Sequence, residues 1–374
     1  MSEKLPKTRI CHLTNVHSRF DNRIFKKECV SLANAGYEVI LLVGDGKGNA
    51  MVSNVQINDL GIYNKTFKRL FIAPFVFAFK AWRKKAGIYH FHDPELIISG
   101  LILRLLGQKV IYDIHEDYTT SINHRSYISS PFKKTVRFLW SSFENVSASF
   151  FYQIIAEKYY QRRFPKAMQI LNYPVIPAQV STYNHGVGNT LLYTGNINEE
   201  RGALIHSDIL NFTDTIDLVM IGFCRTITWN KIKSIAENKI DKLKIIGIES
   251  YVGYNEIKKI YEEGSFLCGL GIFPESPHFK EKELTKFFEY MHYGIPIICS
   301  NFPVWKNLVE KYNCGICVNP NSKDEILSAI KYLQNNPVKA LEMGRNGIKA
   351  VDEHFNWGIE EAKLINFYNS VGEK

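Results

Sequence analysis

The stretch Glu281–Pro296, EKELTKFFEYMHYGIP, sets two carboxylates, Glu281 and Glu289, across a loop-to-helix junction. Thr285 is a natural N-cap, which starts the helix at Lys286, and Gly294-Ile295-Pro296 ends it. Phe287, Phe288 and Met291 then face a core. Glu289 shares the other side with Thr285 and Lys286, at spacings of four and three residues. Such a junction offers a loop carboxylate, unpaired backbone N–H groups, a cation and a helix carboxylate to one cleft. That set suits a ligand with phosphates at one end and hydroxyls at the other.

Outward from this stretch the chain alternates strand and helix. Arg9–Thr14 reads as a first strand, followed by the loop Asn15–Asn22, an amphipathic helix Arg23–Ala35, a stop at Gly36 and a strand Tyr37–Val43. This is a βαβ unit feeding a parallel sheet. Gly87–His92, Lys109–Ile114 and Gln153–Ala156 continue it. Near Leu171 the chain reads LNYPVIPAQ, rich in proline and turn formers, and is the candidate linker. A second series follows: Thr190–Tyr193, Ile216–Ile221, Leu243–Ile246, Phe266–Gly271, Pro296–Ser300 and Gly315–Val318. Strands alternating with helices on both sides of a linker predict an α/β protein of two doubly wound halves, with ligands at the carboxyl ends of strands in the cleft between them. The expected domains are 1–172 and 173–355, with a closing helical segment at 356–374.

The length of 374 residues suits two domains. Seven cysteines, scattered and odd in number, read as reduced cytoplasmic thiols, and Cys314-Gly-Ile-Cys317 as a packing coincidence. No apolar run is long enough to span a bilayer, and MSEKLPKTRICHL lacks the apolar core of a signal peptide. The expected location is therefore cytoplasmic. A net charge of +9 favours an anionic partner, whether nucleotide, phospholipid surface or nucleic acid, without choosing between them.

Several motifs carry chemistry. The loop NVHSRFDNR holds His17, Arg19, Asp21 and Arg23 but no glycine, so it is not a dinucleotide fingerprint. YHFHDPELI places His90, His92, Asp93 and Glu95 at a strand end, with Pro94 opening a helix and Asp93 as its N-cap. Closely spaced ligands on one strand are expected on alternate faces, which weighs against a metal there. IYDIHEDY ends a strand at His115, Glu116 and Asp117. A cleft histidine among carboxylates is cationic near neutral pH, whereas a buried and satisfied one is a packing residue. LLYTGNINEERG reads as strand, Gly195 turn and helix start. GIESYVGYNEI offers a strand edge around Tyr251–Tyr254 for a base, and Pro303 and Trp305 read as packing. Lys65–Lys85 carries seven Lys or Arg and no acid, with Phe, Ile, Val and Trp between them. It is either an interfacial segment among anionic headgroups or a core-facing helix with a solvated basic face.

Taken in order, these motifs resemble bacterial retaining glycosyltransferases of family 4, of the surface-polysaccharide type, which have the two-domain GT-B fold. The resemblance runs from the first strand to the terminal Trp357 helix. It implies that Glu281 contacts the donor sugar and Glu289 the nucleotide ribose. His115 would point at the sugar and its phosphates. Donor contacts would come from Gly195, Asn196, Arg201, Leu284, Thr285 and Lys286, and acceptor-side contacts from His17, Arg19, His92, Asp93 and Glu116. The family usually has an Arg where this chain has Asn196. Lys286 or Arg19 would supply the missing cation, and Arg201 would grip the diphosphate with its planar fork.

The resemblance implies a nucleotide-sugar donor, UDP-sugar before GDP-sugar, and a lipid-linked bacterial surface glycan such as O-antigen, capsule or exopolysaccharide as acceptor. It also implies front-side displacement, with no cofactor. The sequence contains no Asp-x-Asp, so no metal is expected. Two rivals remain: a nucleotide-sugar 2-epimerase of the same fold, and a non-catalytic nucleotide or nucleic-acid binding protein. Acids interrupt the basic charge along most of the chain, which excludes a continuous nucleic-acid surface.

Overall fold

The computed structural model describes residues 8–63, 65–115, 130–176 and 185–373. The chain divides into two compact units, one of residues 1–172 with 357–374 and the other of residues 173–356.

Among the described residues, the first unit holds an eight-stranded sheet ordered β3-β4-β2-β1-β5-β6-β7-β8. Its strands are β1 (Arg9–Thr14), β2 (Glu38–Val43), β3 (Ala50–Val52), β4 (Val55–Asp59), β5 (Ile88–Phe91), β6 (Lys109–Ile114), β7 (Tyr152–Ile155) and β8 (Met168–Gln169). All neighbours pair in parallel except β3 with β4. Alternate residues of β1 feed opposite cores: Cys11 and Leu13 one, Ile10 the other. A parallel sheet covered on both faces requires this double burial. The β3–β4 hairpin was not legible in the sequence. It turns on Ser53 and Asn54, both left-handed at φ 49 and 61, without the Asn-Gly signature of such turns.

The expected helix 23–35 forms, but it opens with a wide π turn, Ile24–Cys29, before the α-helical Val30–Asn34. Asp21 starts it, its carboxylate accepting from the backbone N–H of Arg23 and Ile24. The terminal helix Trp357–Glu373 packs into the same core layer, with Trp357 donating to the Ser31 hydroxyl at 2.9 Å.

The second unit is a six-stranded parallel sheet ordered β11-β10-β9-β12-β13-β14 among the described residues. These strands are β9 (Thr190–Thr194), β10 (Asp217–Cys224), β11 (Leu243–Ile248), β12 (Cys268–Gly271), β13 (Ile297–Ser300) and β14 (Gly315–Val318). Counted from β9 the order is 3-2-1-4-5-6, the Rossmann arrangement, and the direction of winding reverses between β9 and β12. Cys317 faces Cys299 across β13–β14 with sulfurs 3.8 Å apart, so its neighbour is a strand partner and not Cys314. Trp305 is fully buried and donates to the Lys282 carbonyl at 2.6 Å.

Candidate functional site

In the second unit, β9 ends at Thr194 and the chain turns at Gly195 with φ +105. A Cβ placed on Gly195 would lie 3.5 Å from Lys286 Nζ and 3.7 Å from a terminal nitrogen of Arg201. Two cations therefore converge on a bare backbone turn at the switch point of the sheet, where such folds bind their ligands. Arg201 closes the short turn Glu199–Arg201, its N–H bonded to the Asn198 side chain at 2.9 Å. Gly202 follows at φ +75, and a Cβ there would meet the Ile272 carbonyl at 1.9 Å, so only glycine lets this turn approach the end of β12.

Lys286 is 7% exposed, its Nζ 3.6 Å from the centroid of the Tyr193 ring and without a hydrogen-bond acceptor among the described residues. Burial, reinforced by the Arg201 charge and opposed by Glu289, holds its ammonium well below the ordinary lysine value. The ring face supplies a cation–π contact but no acceptor. Glu289, half-buried on the same helix, accepts from the Tyr261 hydroxyl at 3.0 Å. Tyr261 in turn shares a 2.8 Å bond with Thr194, whose backbone N–H donates to Tyr290 at 3.1 Å. These tyrosines fix the helix carboxylate against the end of β9.

In the first unit, His12, His90, His92 and Asp113 lie on one face of the sheet beneath the helices that begin at Ile24 and Trp357. Asp113 accepts from Arg23 through two bonds, at 2.9 and 2.7 Å. A carboxylate only accepts, so His92 donates to it from Nδ1 at 3.0 Å. His92 Nε2 must then accept from His12 Nδ1 at 2.9 Å. His12 Nε2 accepts from the Tyr368 hydroxyl at 3.3 Å, and that oxygen accepts from His90 Nδ1–H at 2.7 Å. Burial holds all three imidazoles below their ordinary pKa. Burial would raise the Asp113 carboxyl, but Arg23 and the imidazoles overrule it and hold it well below the usual range. Glu28, fully buried 3.1 Å from Arg23, is pushed the other way by burial and by Asp113.

His115 stands at the carboxyl end of β6, its Nδ1 3.2 Å from Asp113 and its Nε2 3.0 Å from His17. Burial opposes its charge, but Asp113 outweighs burial and raises its pKa above the ordinary imidazole value. His17 also lies 3.3 Å from Asp93 Oδ1. The other Asp93 oxygen accepts from the Thr14 hydroxyl at 3.0 Å and from the backbone N–H of Asn15 and Val16.

The structure revises several sequence expectations. The helix spans Thr285–His292 with Leu284 as N-cap and no side-chain cap, because Thr285 already has helical geometry. Lys286, expected to share a helix side with Glu289 and Thr285, is buried against Tyr193. Arg19 is no spare phosphate cation: it is 5% exposed and bound by Asp45 at 2.7 and 2.6 Å and by the Gly48 carbonyl. His92 and Asp93, each 1% exposed, present no surface to an acceptor, and Asp93 anchors the loop after β1 without capping a helix. His90 and His92, two residues apart, share a face with rings 4.4 Å apart, so the expectation of alternate faces fails for this pair. His12, Glu28, His90 and His92, and separately His92, Asp113 and His115, bring ligand-type atoms within 4.8 Å of one another. Tyr251 lies in a loop and Tyr254 begins a helix, so no strand edge forms there. Glu281, Thr285 and Asn196 are exposed, and Leu284 is half-buried. Glu116 and Asp117 lie outside the described residues. The parts played by Tyr193, Tyr261, His12 and Tyr368 were not legible in the local motifs; period-two reading of β1 and β5 would have paired His12 with the later histidines.

Residues 188–350 match the family described as glycosyl transferases group 1. Over 146 residues the chain is 26% identical to a sucrose synthase of Denitrovibrio acetiphilus, a stretch that is 37% of this chain and 18% of that protein. The chain thus matches less than a fifth of that relative's length. A glycosyltransferase of Rickettsia africae superposes with a TM-score of 0.74 at 14% identity, covering 98% of this chain and 99% of that one. Anabaena HepE, solved in complex with UDP, superposes with a TM-score of 0.69 at 11% identity, covering 97% of this chain and 100% of that one. The protein has the GT-B glycosyltransferase fold, and its second unit carries the group 1 match.

Proposed function

We propose that this protein is a retaining glycosyltransferase that moves a sugar from a nucleotide sugar, UDP-linked before GDP-linked, to a lipid-linked bacterial surface glycan. The observation that carries the reading is the buried Lys286 ammonium beside Arg201 and the bare Gly195 turn. A buried cation without an acceptor is costly, and a diphosphate entering at Gly195 offsets that cost. The UDP complex of Anabaena HepE on the same fold supports a uridine diphosphate in this role. Glu289 is assigned to the ribose, Glu281 to the donor sugar, and His115 to the sugar and its leaving phosphate.

The reaction is a front-side displacement. The acceptor oxygen bonds to the anomeric carbon as the bond to the phosphate oxygen breaks, and that oxygen takes the acceptor proton. Arg201 and Lys286 stabilise the departing charge without a divalent ion. The basic, acid-free segment 65–85 supports a lipid-linked acceptor at the inner membrane face. Among the described residues no helix is long and apolar enough to cross a membrane.

Nucleotide sugars screened for thermal protection identify the donor, since a ligand at about 100 times its Kd adds about 2.7 kcal/mol. NMR of the product with that donor should then show the donor's anomeric configuration, with turnover unchanged in excess chelator. An inverted product, or activity lost in chelator and restored by magnesium or manganese, refutes the mechanism. Epimerised nucleotide sugar formed without acceptor assigns the protein to the 2-epimerase reading.

A further inference from the structure

We infer that the first unit docks on an anionic phospholipid bilayer through three helices, with Ser130–Ala148 as a second anchor beside the segment 65–85. This deepens the membrane part of the proposed function and rests on that reading for its purpose; the geometry is independent of it. The helix Ala73–Trp82, extended backwards by the π turn Lys68–Ile72, is apolar on two sides. Ala73, Phe77, Ala78 and Ala81 are buried in the core. On the outside, Phe67, Phe71, Phe75, Phe79 and Trp82 recur at intervals of four, four, four and three, and are 67, 59, 56, 53 and 46% exposed. A helix apolar on two sides belongs between two apolar environments, and the core supplies one of them.

The helix Ser130–Ala148 repeats the pattern. Leu139, Phe143, Val146 and, just past its end, Phe150 recur at four, three and four residues and are 61, 40, 64 and 57% exposed. Between the two helices lies Ile97–Leu105, which touches both and ends in the exposed Leu105 and Leu106. The inner side chains Phe77, Leu103 and Ala148 join one core cluster on one face of the sheet, so the outward stripes share one side of the unit. Large apolar side chains left exposed on three neighbouring helices are the kind of surface that marks an interaction site.

Charge selects the occupant. The segments 65–109 and 130–150 contain three acids, Asp93, Glu95 and Glu144, and all three are buried. Glu95 is held by Arg69 at 2.8 Å, and Glu144 by Tyr112 at 2.6 Å and Arg163 at 2.7 Å. Lys65, Lys68, Lys80, Arg83, Lys84, Lys85, Arg104, Lys134 and Arg137 flank the apolar stripes with no exposed acid in these segments to offset them. A second copy of the chain would bring one cationic face against another. An anionic headgroup layer over acyl chains satisfies both the charge and the apolar stripes.

The test uses the full chain with vesicles of phosphatidylglycerol and phosphatidylcholine, and of phosphatidylcholine alone. Hydrogen exchange on the bound protein should slow in both 66–82 and 130–148. Phe71→Gln with Phe75→Gln, and separately Leu139→Gln with Phe150→Gln, should each lower partitioning onto the anionic vesicles by roughly tenfold. Protection confined to 66–82, or unchanged partitioning of the Leu139/Phe150 variant, overturns the second anchor. Equal binding to neutral vesicles overturns the anionic assignment. A concentration-dependent dimer that the same variants disperse, without vesicle binding, assigns the face to a second copy instead. UDP titration of every variant keeps the donor reading separate: lost UDP binding in the parent sinks that reading and leaves this one standing.

Discussion

Replacing Lys286 with methionine should separate ligand affinity from stability. The ammonium is buried over the Tyr193 ring, lacks an acceptor among the described residues, and is held well below the ordinary lysine value of 10.5. Unfolded, the lysine binds a proton that the folded, ligand-free site resists, so stability rises with pH from the depressed value up to 10.5. Methionine fills nearly the same volume without that penalty, and the variant should melt no lower than the parent and at neutral pH somewhat higher. A diphosphate does the reverse and favours the charged lysine. Losing that charge-assisted bond costs about 1.5–3 kcal/mol, or about 10- to 150-fold in Kd for UDP. At any pH above the depressed free-state value, binding should also take up a proton, and affinity should fall as pH rises through that window. Calorimetric titration of UDP in two buffers of different ionisation enthalpy, with parent and variant, measures both effects. Buffer-independent heats together with unchanged UDP affinity in Lys286→Met would refute the assignment of this pocket to phosphate.

Two further outcomes are expected. Glu289→Gln should weaken free UDP, because a ribose hydroxyl loses a charged partner worth about 1.5–3 kcal/mol, whereas Glu281→Ala should spare UDP and damage sugar transfer; a Glu289→Gln protein that binds UDP like the parent shows the pair is misassigned. His12, His90 and His92 are held neutral by burial, so their contribution is present above the ordinary value of 6.5 and lost as pH falls below it. With up to three protons taken up on unfolding, urea denaturation should show stability falling by up to about 4 kcal/mol per pH unit on acidification. His115, raised by Asp113, works in the opposite sense: its contribution is full below 6.5 and fades as pH climbs through its raised value. A flat profile between pH 7 and 5 counts against the neutral cluster.

The sequence by itself determined the two parallel α/β series, because buried strands such as β1 and β6 are short apolar runs whose ends are marked by polar loops and glycines. It also pointed to the Gly195 turn, Arg201 and the 281–289 carboxylate pair, since those lie within single local motifs. Tertiary structure decided what those residues can do. Whether a cation is available depends on its neighbours: Arg19 is consumed by Asp45, twenty-six residues away, while Lys286, expected to share a helix side with Glu289 and Thr285, is buried without an acceptor among the described residues. The chain from Tyr368 to Asp113 joins the terminal helix to three strands, and tautomers fixed across such distances leave no trace in local sequence. Likewise, the periodicity of the segment 65–85 shows an apolar helix, but only packing shows that one of its two apolar sides is left facing outward. Local pattern records what a segment can bury or bind; which of its groups remain uncommitted is set by partners far away in the chain, and that is where the chemistry resides.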